Sequence, residues 1–127
     1  MTNLNSLAEE IHQNAIDHGW WEKERSFGEV IALCHSELSE ALEEYRDGRK
    51  NTWYSCAKHR NTDDCTISAY CHNCKHGKPE GIAIELADCI IRILDYCGKA
   101  NIDIDEAIRI KHEYNKTRPY RHGGKVI

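Results

Sequence analysis

Two acid pairs stand out along the chain, Glu37-Leu38-Ser39-Glu40 and Glu85-Leu86-Ala87-Asp88. At about 100° per residue, carboxylates three residues apart lie roughly 60° apart on one helix face, near enough to share a cation. Such pairs are common on solvated helix surfaces, and Glu37 with Glu40 alone fits that reading well. The second pair differs. On a helical wheel the apolar residues from Ile82 to Cys97 cover about two thirds of the circumference, which confines Glu85, Asp88, Arg92 and Asp95 to a narrow strip. A helix apolar over so wide an arc is packed on several sides, so its strip is expected to face a cleft or a subunit interface. Three acids against one arginine repel one another unless a further cation joins them. Oxygen ligands without His or Cys select Mg²⁺ or Mn²⁺ over zinc.

Lys111, Asn115 and Arg118 follow at i, i+4 and i+7, one face of a later helix, with Arg121 and Lys125 beyond it. An acidic metal site with a basic stripe suits a polyphosphate, the metal bridging phosphate oxygens while Lys and Arg hold the rest. A solvated basic helix end that complements the helix dipole accounts for Lys111 and Arg118 equally well.

Four helices are expected to position these groups. Leu4, Leu7, Ala8, Ile11 and Ala15 mark an amphipathic helix over about residues 3–18, closed by Gly19. Ser26-Phe27-Gly28-Glu29 has the form of a capping box, and the apolar stripe from Phe27 to Tyr45 ends at Asp47-Gly48. Lys78-Pro79-Glu80 reads as the start of a third helix, with Pro in the first turn, running to about Cys97 and ended by Gly98. Asp103 to Glu106 begins a fourth, which Arg118-Pro119 breaks after Thr117. No strand-like alternation persists. The expected class is all-α, a single domain over residues 1–127.

The 127 residues, 40 % hydrophobic and 30 % charged, fit one soluble globular domain. A net charge of −4 argues against nucleic-acid binding, which draws on a basic surface. No apolar run approaches the ~20 residues of a membrane span, and the start MTNLNSLAEEIHQ lacks signal-peptide regions, so a cytoplasmic protein is expected.

The paired acids and the closing Lys111-His112-Glu113-Tyr114-Asn115-Lys116-Thr117-Arg118-Pro119-Tyr120 resemble the E-x-x-E, E-x-x-D and C-terminal segments of MazG-like nucleoside triphosphate pyrophosphohydrolases. That all-α group also holds dimeric dUTPases and dCTP pyrophosphatases. The resemblance covers all four helices. It implies an oligomeric four-helix bundle, a homodimer or homotetramer, that converts a nucleoside triphosphate to the monophosphate and pyrophosphate. Carried over, Glu37, Glu40, Glu85 and Asp88 are Mg²⁺ ligands and catalytic, while Lys111, Asn115 and Arg118 contact phosphate or sugar. Trp20 and Trp21 stack on the base, or one of them simply anchors its loop to the core.

The chain departs from that pattern between Glu40 and Glu85, 44 residues apart in the interval, where the stretch of about residues 49–77 loses all periodicity. Of seven cysteines, Cys34, Cys89 and Cys97 sit in apolar helical patterns as small hydrophobes. The other four, Cys56, Cys65, Cys71 and Cys74, crowd into this insert, with His59, His72 and His76 nearby. Cys71-x2-Cys74 is half of a zinc site, and a polar loop gains folding energy from a structural Zn²⁺. A loop of reduced thiols and a redox-sensitive Cys71–Cys74 pair are the other readings. If the insert docks a partner, the whole is a non-catalytic zinc-dependent binding module; a nucleotide sensor that does not hydrolyse is a further alternative.

Overall fold

Asn3 opens the first helix by accepting the Ser6 N–H on its side chain, and the computed structural model of the protein describes residues 3–55 and 77–127. These residues are mostly helical. In chain order they form α1 (Leu4–Asp17), α2 (Phe27–Arg46), β1 (Trp53–Ser55), β2 (Lys78–Glu80), α3 (Ile82–Ala100), α4 (Ile104–Thr117) and the helical turn α5 (Arg121–Gly124). Among them no helix is long and apolar enough to cross a membrane. Packing groups them into two compact units, one of residues up to Glu22 with Leu94 onward, the other from Lys23 to Ile93.

In the first unit α1 lies against the end of α3 and the start of α4. Its core is Ala8, Leu94 and Cys97, with Leu4, Leu7, Ile11 and Ile104 packed around them. Gly98 does not end α3, contrary to the sequence expectation; the helix continues to Ala100. A Cβ on Gly98 would stand 2.7 Å from both the Ala8 carbonyl oxygen and the His12 Cβ, so the glycine lets α1 approach. The stop is Asn101, in the left-handed region at φ 54°, while the Ile102 N–H reaches back to the Cys97 carbonyl at 3.0 Å. Asp103 then caps α4 by accepting the Glu106 N–H at 3.0 Å.

In the second unit Ser26 accepts the Glu29 N–H at 3.1 Å to start α2, as its sequence predicts. The side chains buried along α2 are Val30, Cys34, Glu37 and Ala41, whereas Ile31, Leu38, Leu42 and Tyr45 stay exposed. The sequence stripe is therefore split: its small members and one acid face inward. Lys78-Pro79-Glu80 is a strand, not the first turn of a helix, which corrects the expected boundary. It pairs antiparallel with β1, Ser55 opposite Lys78 and Trp53 opposite Glu80. Both strands of a two-stranded ribbon are edges, where proline's missing donor is tolerated. Gly81 makes the corner at φ 114°, and any side chain there would collide with the Asn51 carbonyl, which accepts the Ala83 N–H at 2.9 Å and so starts α3. Trp53 fixes the ribbon to α2, its indole donating to Glu44 at 2.8 Å beneath the Arg49 guanidinium.

Candidate metal centre

α2 and α3 bring the acids together within the second unit. One carboxylate oxygen from each of Glu37, Glu40 and Glu85 lies within 4.8 Å of the other two. A Mg²⁺ ion holds its oxygens at about 2.1 Å, so neighbouring ligand oxygens sit about 3 Å apart, a spacing inside the 4.8 Å that bounds this trio. Asp88 is outside this trio but feels the Glu37 charge.

The electrostatics are those of crowded anions. Burial pushes the Glu85 carboxyl up to about 7, aided by its hydrogen bond to Glu40 and then by the charges of Glu40, Asp88 and Glu37. Burial also raises Asp88, with Glu37 adding to the shift; Arg92 and Lys78 pull it back. Glu37, 6 % exposed, is the one buried charged side chain among the described residues. It accepts from Arg92 Nε at 2.6 Å. Crowded carboxylates of this kind are what a divalent ion can neutralise, and the all-oxygen donor set fits Mg²⁺ or Mn²⁺.

The expected strip on α3 divides. Glu85, Asp88 and Arg92 belong to this cluster, whereas Asp95 accepts the Trp21 indole N–H at 3.0 Å and lies 2.7 Å from His12 Nδ1. Trp21 also meets His12 edge to face and carries the Lys99 ammonium over its ring. It is thus held in the first unit as a loop anchor, while Trp20 beside it is 60 % exposed.

Lys111 and Asn115 are exposed on α4 and Arg118 is its half-buried C-cap. Tyr114 lies between the two cations, with Lys111 Nζ 5.0 Å and the Arg118 guanidinium 5.7 Å from its ring centre. Sequence reasoning missed Tyr114, although its position three residues after Lys111 and four before Arg118 is the signal. It also left Lys78 out of the acid cluster, because that residue arrives on a strand. Cys34, Cys89 and Cys97 are free and buried, with burial raising the Cys34 and Cys97 thiols. Cys56, Cys65, Cys71 and Cys74 lie outside the described residues.

Comparison of the chain with protein-family models, with curated proteins and with solved structures finds no match in any of the three.

Proposed function

We propose that the protein is a Mg²⁺-dependent nucleotide pyrophosphohydrolase that converts a nucleoside triphosphate to the monophosphate and pyrophosphate. The observation that carries this reading is the meeting of Glu37, Glu40 and Glu85 within 4.8 Å, with Glu85 pushed up to about 7 by burial and then by its acidic neighbours. Glu37, Glu40, Glu85 and Asp88 would hold the metal, Mn²⁺ serving as well as Mg²⁺. Bound there, the ion supplies charge neutralisation to the phosphate oxygens as the α-phosphorus is attacked. The carboxylates orient water, whose oxygen bonds to the α-phosphorus as the bond to the bridging oxygen breaks. That oxygen leaves with pyrophosphate, and the proton lost by water passes to a carboxylate. Lys111, Asn115 and Arg118 are proposed contacts to phosphate or sugar, and Trp20 a stacking partner for the base.

The exposed Ile31, Leu38, Leu42 and Tyr45 of α2, together with Leu86, Ile90 and Ile93 of α3, support a further part of the reading: a homodimer or homotetramer of four-helix bundles covers them. A structural Zn²⁺ at Cys56, Cys65, Cys71 and Cys74 remains part of the proposal.

The test is incubation of the purified chain with Mg²⁺ and each common and modified nucleoside triphosphate, resolving pyrophosphate from phosphate. Pyrophosphate with monophosphate is the expected product pair. No turnover across the panel overturns the enzyme reading, and nucleotide binding without turnover moves the protein to the sensor class. Release of phosphate alone excludes attack at the α-phosphorus.

A further inference from the structure

Arg92 holds an unusual position for a partly exposed cation. Its Nε–H donates to Glu37 Oε1 at 2.6 Å, and the Glu37 side chain keeps only 8 % of its surface against 35 % for Arg92. It stands one helical turn after Asp88, the neighbouring acid on α3 whose charge it also meets. One guanidinium thus balances an acid from each of the two helices that build the cluster. A carboxylate buried this deeply is costly without a positive partner, so the Arg92 contact is what permits Glu37 to sit among three other acids.

We propose that Arg92 is the built-in counter-ion of the acid cluster and that it competes with a divalent metal ion for Glu37. This rests on the metal-site reading above. Guanidinium and divalent ion repel each other across the shared carboxylate, so entry of the ion weakens the Glu37–Arg92 bond. By reciprocity the bond weakens the ion's hold to the same degree. The pair therefore keeps helices α2 and α3 together while the site is free of metal and prevents a bare ion from binding too tightly to exchange. An ion pair that merely ties two helices acts in the opposite direction, since its loss would scatter the ligands.

The experiment is a Mn²⁺ titration of the full chain, wild type, Arg92→Gln and Arg92→Lys, with free Mn²⁺ read by electron paramagnetic resonance in alkaline buffer. Arg92→Gln is expected to bind Mn²⁺ about tenfold more tightly, the order of effect of removing one partly solvated charge a few ångströms away. Arg92→Lys, which keeps the charge, should stay within about threefold of wild type. Equal or weaker binding by Arg92→Gln, or tightening by Arg92→Lys as well, overturns the proposal and leaves the metal site standing. Absence of Mn²⁺ binding in all three proteins overturns both. Should Arg92→Gln lose its helical circular dichroism, the wild type decides the matter. Its Arg92 side-chain Nε–H resonance must shift as Mg²⁺ saturates the protein, and a resonance unmoved at saturation overturns the competition.

Discussion

Asn5 and Asp105 cap each other's helices. The Asn5 Oδ1 accepts from the backbone N–H groups of Ile104 and Asp105 at 3.0 and 3.4 Å, starting α4. In return the Asp105 carboxylate accepts from the backbone N–H groups of Leu4 and Asn5 at 3.2 and 3.0 Å, starting α1. Two helix N-termini thereby satisfy their orphan donors across a hundred residues of chain, and each acceptor also lies in the favourable field of the helix dipole it caps. Asn5→Ala and Asp105→Ala are each expected to lower stability by about 1–2 kcal/mol, the range of a lost cap. In urea unfolding the double variant should cost less than the two single losses added, because either change already opens the shared junction. Simple additivity would show two independent caps.

Stability of the metal-free protein should fall as pH rises through the window from about 4.5 to about 7. The carboxyl of Glu85 is raised to about 7 in the folded protein, so the native state binds more protons than the unfolded chain across that interval. Its contribution is complete below the unfolded value and is lost as pH passes the folded one; Asp88 is shifted in the same sense. The carboxyls of Asp103 and Glu106 are lowered instead, so they act in the opposite sense at more acid pH. Melting temperatures of the chelator-treated protein would record the decline, and Glu85→Gln should reduce it. Saturating Mg²⁺ should reduce it too, since the ion supports the ionised form. A melting temperature of the metal-free wild type that climbed through this window, or an unchanged slope in Glu85→Gln, would contradict the assignment.

Under the pyrophosphohydrolase reading, Glu40→Gln and Asp88→Asn should each lower pyrophosphate release by about a hundredfold or more, the scale on which removing one electrostatic catalytic group acts. Both should keep their helical circular dichroism, because neither acid is among the buried side chains of α2 and α3. Near-full rates in either variant would remove that residue from the site. For Lys111→Ala and Arg118→Ala the expected change is chiefly a higher KM, since a phosphate contact made equally in ground and transition states leaves kcat in place.

Gly98→Ala sets two effects against each other. In a helix interior alanine gains about 1 kcal/mol over glycine. Its Cβ, however, would lie 2.7 Å from the Ala8 carbonyl, a backbone atom that cannot swing aside. Overpacking of this kind costs about 1–3 kcal/mol, so net destabilisation is expected. Ala8 is 2 % exposed at the centre of that core, which leaves α1 little room to yield. Thermal unfolding that matched or exceeded wild type would mean that α1 moves away freely.

Leu42→Glu on α2 and Ile90→Glu on α3 alter side chains that are 53 % and 54 % exposed, so neither should unfold a chain. Under the oligomer reading, each charge should shift the assembly towards monomer in light scattering. An unchanged mass would dissociate these two residues from any subunit contact.

The parts of the fold that were legible in sequence depend on near neighbours. Ser26 with Glu29 and Asp103 with Glu106 are caps made within one turn, and residue type together with spacing is sufficient to find them. Features made by distant partners were not legible. Lys78-Pro79-Glu80 carries a helix-start signal, and only its pairing with Trp53-Tyr54-Ser55 makes it a strand. Gly98 looks like a stop because glycine commonly ends helices, yet its role is set by α1 some ninety positions earlier. In the acid cluster the spacing of Glu37, Glu40, Glu85 and Asp88 was visible, but the burial of Glu37 was not. The buried carboxylate meets its cation in Arg92, 55 positions away.

The facing of Ser55 and Lys78 means that the chain comes back beside the point where it departed. A junction closed in this way is tolerant of length, because doubling a flexible loop adds only about 0.6 kcal/mol of closure entropy. The ribbon acts as a socket. The contacts of Trp53, fixed to Glu44, and of Gly81, held against the Asn51 carbonyl at the head of α3, are both made by residues outside the span that the ribbon closes.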